Sequence, residues 1–163
     1  MLDVETSGSR GAERIVLDTN VCLDLLLFND PAVATLAQAL RSGELIAVAN
    51  VGTRAEWRRV LAYPALRLDS KRQGELIDAF DVLVLDVAAT LAAKSITADV
   101  PLPRCGDPDD QKFLELARDA GACWLLSRDR DLLGLATRCR RLGLFSVMTP
   151  QAWATAFTLP LGS

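Results

Sequence analysis

Five short, largely apolar runs punctuate this chain, and each is followed by a segment with helical spacing or helix-capping residues. They are Ile15-Val16-Leu17, Leu45-Ile46-Ala47-Val48-Ala49, Val82-Leu83-Val84-Leu85, Cys123-Trp124-Leu125-Leu126 and Leu144-Phe145-Ser146-Val147-Met148. A strand that is apolar at successive positions has no solvent face, so both its sides must be covered. Helices are expected over residues 21–28, 31–40, 53–61, 70–80 and 107–120, with a last one opening at Thr149-Pro150. Pro31 suits a first helical turn, Ser42-Gly43 and Gly121 suit helix ends, and Pro64 stops the 53–61 helix. Strands of this kind alternating with helices indicate an α/β sandwich around a parallel sheet.

The size agrees with one domain. Half of the 163 residues are apolar, and a domain of this length buries about 70% of its unfolded surface without disulfides or metals as staples. We expect a flexible polar segment over residues 1–13 and the domain over 14–158. The stretch 95–106, with Pro101, Pro103 and Gly106, is expected to be the main internal loop. No run approaches the roughly 18 consecutive apolar residues of a membrane span. Residues 1–14 lack the apolar core of a signal peptide, so a cytoplasmic protein without membrane attachment is expected.

The chain contains no histidine, which excludes Ser-His-Asp and Cys-His triads, imidazole zinc sites and His phosphorelay chemistry. Its four cysteines, Cys22, Cys105, Cys123 and Cys139, form no C-x-x-C pair and read as buried free thiols. With 18 basic against 21 acidic residues, bulk charge does not favour nonspecific nucleic-acid binding. A local basic groove is still allowed, and guanidinium suits bidentate phosphate contact. Arg58, Arg128 and Arg130 are the candidates for backbone phosphate.

In parallel α/β sheets ligands bind beyond the carboxyl ends of the strands. Asp18 directly follows the first strand, Glu56 lies one helical turn after the second, Asp107 and Asp110 follow the loop after the third, and Asp129 and Asp131 follow the fourth. Each has a plain alternative as a helix cap: Thr53-x-x-Glu56 matches a capping box, and Asp107-Pro108-x-Asp110 matches an N-cap with a first-turn anion. Caps, however, have no reason to gather at one edge of a sheet. Carboxylates that do gather raise one another's pKa unless a cation joins them. Oxygen-only ligation favours Mg²⁺ or Mn²⁺, as one ion or two, and such a site suits hydrolysis of a phosphodiester without a histidine base. Thr19, Asn20 and Ser127 stand ready to support water or phosphate oxygens around it.

Four segments in order resemble a PIN domain, and more narrowly the VapC-like toxins of toxin–antitoxin systems. They are Ile15-Val16-Leu17-Asp18-Thr19-Asn20-Val21, Ala55-Glu56-Trp57-Arg58-Arg59-Val60-Leu61, Asp107-Pro108-Asp109-Asp110-Gln111-Lys112-Phe113-Leu114 and Leu126-Ser127-Arg128-Asp129-Arg130-Asp131-Leu132-Leu133. The resemblance implies a five-stranded parallel sheet flanked by helices in three layers, and a Mg²⁺- or Mn²⁺-dependent endoribonuclease. It places the four acids of the site on Asp18, Glu56, Asp110 and Asp129, with Asp107 and Asp131 as additional metal-side acids. Gln111 stands where relatives often carry a further acid or Asn, which bears on a second ion. The resemblance also implies a cognate antitoxin that covers the acidic pocket, and homodimerisation.

Two other classes fit parts of the pattern. A Mg²⁺-dependent phosphatase or phosphotransferase would use an aspartyl-phosphate, but Asp18-Thr19-Asn20 lacks a second aspartate two residues on. A non-catalytic RNA-binding or protein-docking module would use the acids as caps alone.

Overall fold

The computed structural model describes residues 12–86 and 99–158. The expected flexible segment therefore lies almost wholly outside the described residues, as does the first part of the 95–106 loop.

Five strands form one all-parallel sheet: β1 (Glu13–Leu17), β2 (Leu45–Ala49), β3 (Val84–Asp86), β4 (Trp124–Leu126) and β5 (Ser146–Met148). Their order is β3-β2-β1-β4-β5, with Leu17 paired to Leu126 and Ala49 to Asp86 in register. Eight α-helices are described: α1 (Thr19–Leu26), α2 (Ala34–Ser42), α3 (Val51–Leu61), α4 (Ser70–Leu83), α5 (Gln111–Ala120), α6 (Arg130–Leu133), α7 (Ala136–Arg141) and α8 (Pro150–Thr158).

Strand residues alternate between two cores, as the two-residue period requires. Ile15, Leu17, Leu45, Ala47 and Ala49 face Val21, Leu36, Trp57, Leu61, Phe80 and Trp153. Val16, Val48, Leu125 and Val147 face Phe113, Leu114, Ala117, Leu132 and Cys139 on the other side. The result is the expected three-layer α/β sandwich. Gly43 and Gly121 end α2 and α5 in the left-handed conformation, which a residue without Cβ adopts freely.

The structure moves several expected boundaries. Val82 and Leu83 belong to α4, and β3 begins only at Val84. Leu83 extends the helical stripe of Leu76 and Phe80, whereas Val82 points outward and is 88% exposed, so burial rather than β-branching decides the segment. Residues 108–110 form a 3-10 turn, and α5 proper starts at Gln111. All four cysteines are free, and Cys123 is only half-buried.

Candidate active site

The chain builds outward from β1 to β2 and β3, then returns to place β4 and β5 on the other side. Sheets of this kind open a crevice where the winding direction reverses, here between the carboxyl ends of β1 and β4. Asp18 and Ser127 are the first residues beyond those two ends, and the Asp18 amide donates to Leu126 O at 3.1 Å.

Asp18 is buried, 4% exposed. Its Oδ1 accepts from the Val21 amide at 3.0 Å and so caps α1. Its Oδ2 accepts from the Ser127 hydroxyl, whose oxygen in turn accepts from the Asp129 amide at 2.9 Å. Burial pushes the Asp18 carboxyl up to about 6; the two hydrogen bonds oppose this, and the nearby Asp129 and Glu56 charges add to it. Capping is therefore real but incomplete as an explanation, since an exposed carboxylate would cap α1 without the cost of burial.

Glu56 does not cap α3, contrary to the capping box expected from Thr53-x-x-Glu56. The box is one turn earlier: Thr53 N donates to Asn50 Oδ1 at 2.9 Å and Asn50 N to Thr53 Oγ1 at 3.0 Å. Thr53 is thus the third helical residue, and Glu56 is left for another task. Trp57 fixes the orientation of the helix, stacking on Phe80 and donating from Nε1 to Leu76 O at 3.1 Å. This turns the neighbouring Glu56 to the strand ends. There Thr19 Oγ1 donates to Glu56 Oε2, Lys112 Nζ donates to Oε1 at 2.6 Å, and Arg59 lies 3.5 Å from the same oxygen.

Asp110 forms no side-chain cap, and its Oδ2 is buried without a hydrogen-bond partner. Its carboxyl is pushed up to about 7, first by burial, then by a hydrogen bond and the charge of Asp129, then by Asp107 and Asp18. Asp107 Oδ1 accepts from the Asp109 amide at 2.9 Å and Asp129 Oδ1 from the Asp131 amide at 2.8 Å, so each caps with one oxygen only.

A cleft of about 330 Å³ is lined by Asp18, Thr19, Asn20, Glu56, Asp107, Asp109, Asp110 and Asp129, together with Leu23, Arg59, Val60, Tyr63, Ala65, Leu66 and Phe113. All four principal acids predicted from the sequence line it, as do Asp107, Asn20 and Thr19. Ser127 lies behind Asp18, fully buried. Asp131 does not line the cleft; it abuts the preceding loop, where a Cβ added to Gly106 would lie 3.1 Å from its Oδ1. None of the three arginines proposed for phosphate lines the cleft. Arg128 is paired to Asp24 at 2.9 Å and to Asp30 at 3.5 Å, whereas Arg58 and Arg130 are exposed. Arg59, one residue from Arg58, is the arginine in the lining.

The sequence reading also missed Asp109, Lys112 and Tyr63. Glu56, Arg59 and Val60 recur at helical spacing and so share a face of α3, a pattern that was visible in the residues, whereas Tyr63 lies two residues beyond the helix end. The Lys112–Glu56 pair spans 56 positions and left no local signal. Gln111 is turned away from the acids: its Nε2 donates to Pro103 O at 3.1 Å and its Oε1 accepts from the Cys105 amide at 2.7 Å.

Among the described residues no three acidic or cysteine side chains stand together in an arrangement that could hold an ion; Lys112 draws Glu56 to itself. The donor chemistry nevertheless fits a hard divalent cation. The acids offer only oxygen, Asp110 Oδ2 is buried and unpaired, and burial, with the charges of neighbouring acids adding to it, pushes two of the carboxyls up.

A family model described as PIN domain matches residues 14–131. The matched span starts in β1, ends at Asp131 in α6, and contains all four acidic segments. No curated protein and no solved structure matches the chain.

Proposed function

This chain belongs to the PIN domain family, and on that premise we propose that it is an endoribonuclease using Mg²⁺ or Mn²⁺ to hydrolyse RNA phosphodiester bonds. PIN domains are generally metal-dependent nucleases. What carries the reading to this site is the meeting of acids from four separate strand ends in one cleft at the sheet's reversal point. Helix capping alone accounts for neither Glu56 nor Asp110.

In this proposal Asp18, Glu56, Asp110 and Asp129 hold the ion, with Asp107 beside them and Asp131 tuning the site from the neighbouring loop. When bound, a divalent ion supplies Lewis-acid polarisation of the scissile phosphate and acidification of water. The protein's own groups do the rest. Ser127 fixes Asp18 Oδ2 and the Asp129 amide relative to one another, and Thr19 orients Glu56. Asp110 Oδ2, buried without a hydrogen-bond partner, offers a free oxygen to the ion. Lys112 keeps Glu56 paired until the acid is needed as a ligand. Asn20 at the rim and Arg59 are placed to meet the RNA backbone. Gln111 holds the 103–105 loop in place of a further acid, which supports one ion rather than two.

The ordered likeness of four segments to VapC-like toxins supports a cellular role as the toxin of a type II toxin–antitoxin pair, acting in the cytoplasm. A cognate antitoxin covering the cleft and a second copy of the chain are the partners this role requires. Among the described residues no single helix is long and apolar enough to cross a membrane.

The test is direct. Purified protein incubated with total RNA should cleave it with Mn²⁺ and leave it intact with EDTA. Equal cleavage in both, or none in either, would contradict the reading.

A further inference from the structure

The cleft has a mixed lining. Beside the carboxylates it carries Leu23, Val60, Tyr63, Ala65, Leu66 and Phe113, together with Arg59. Gripping a phosphate needs no apolar lining. Tyr63 is the chain's only tyrosine and is 48% exposed, yet its backbone is pinned. Its amide donates to Val60 O at 3.0 Å and its carbonyl accepts from Leu66 N at 3.0 Å. Pro64 further restricts it to the extended conformation observed. Among the described residues no other aromatic ring stacks on it, and its hydroxyl has no hydrogen bond. A rigidly mounted aromatic with an open face inside a charged cleft has little to gain from folding.

Tyr63 lies two residues past the end of α3 and lines the same cleft as Glu56. Arg59, 3.5 Å from Glu56 and in the same lining, carries the cation that a phosphate or a base plane would meet.

We propose that Tyr63 and the apolar shelf of Val60 and Leu66 form a nucleobase subsite, which stacks an unpaired base of the RNA flanking the bond cut at the acids. The inference rests on the nuclease reading above and adds to it the residue that positions the strand. Stacking on an aromatic face tolerates every base but requires that the base be free of a duplex. Tyr63 thereby selects single-stranded segments without dictating their sequence.

The experiment compares kcat/KM with Mn²⁺ on a single-stranded oligoribonucleotide and on versions carrying an abasic ribose at each position flanking the cut. Tyr63→Ala should lose about tenfold to a hundredfold on the intact strand. Tyr63→Phe, which keeps the ring, should stay close to wild type. On the strand abasic at the stacked position, wild type and Tyr63→Ala should be equal. Unchanged cleavage of the intact strand by Tyr63→Ala overturns the subsite and leaves the nuclease reading standing. An equal loss on the intact and every abasic strand also overturns it, since the ring would then serve the fold. Failure of the wild type to cut any strand overturns the nuclease reading, and the subsite with it.

Discussion

Asp18→Asn should lower RNA cleavage by about a thousandfold or more, the scale of losing several kcal/mol of charge stabilisation at the phosphate. The same change should make the metal-free protein more stable at pH 7.5. Asp18 is 4% exposed and its carboxyl is held up at about 6, chiefly by burial, so above that pH the fold carries a buried charge. An asparagine keeps an oxygen for the Val21 amide that caps α1, fits the same space and removes the charge. Its amide can donate to the Ser127 oxygen in exchange for the hydrogen bond that Asp18 accepts. Loss of cleavage with a melting temperature several degrees higher is the expected pair of results. A residue there only to cap would behave otherwise, because asparagine and aspartate cap about equally well: cleavage would stay put.

The second large effect is in the pH dependence of stability. Asp18 and Asp110 are shifted up from 3.8 to about 6 and about 7, so between about pH 4 and pH 7 the folded protein holds protons that the unfolded chain has released. Stability of the metal-free protein must therefore fall as pH rises through that window and level off above it. Asp18 alone accounts for about 3 kcal/mol of that fall. Mn²⁺ should offset much of that fall, because a cation binds the ionised carboxylates and its affinity grows as their protons leave. At one hundred times its Kd an ion adds about 2.7 kcal/mol, or roughly 5–10 °C for a chain of this length. Melting curves from pH 4.5 to 8, with EDTA and with Mn²⁺, should diverge as pH rises. Parallel curves would mean that the acids do not share a cation.

The site was legible where its signals were local. Asp18 and Asp129 stand at or just past the ends of apolar runs, and the α/β rule for ligands already located them in the crevice. Asp110 was placed by likeness to a family, and the structure adds what no spacing could show: an oxygen buried without a partner. Glu56 was harder. Its match to a capping box was chemically sound, but Asn50 lies three residues before Thr53 and captured the box first. Propensity for a cap does not say which of two overlapping caps wins. The third strand was expected to begin at Val82, but β-type residues can also extend an amphipathic helix, and Val82 and Leu83 close α4. Lys112 and Arg59 were missed for different reasons. Lys112 meets Glu56 only when α5 docks beside α3, whereas Arg59 was passed over for Arg58, which the turn of α3 leaves in solvent.

The central claim is that acids from four strand ends make one cation site. Calorimetric titration of Mn²⁺ into metal-free protein at pH 7.5, beside the Glu56→Gln/Asp110→Asn double variant, tests it most directly. The account predicts saturable binding of one ion, with protons released to the buffer, and its loss in the folded variant. Binding of equal strength in both proteins, or none in the wild type, would contradict it.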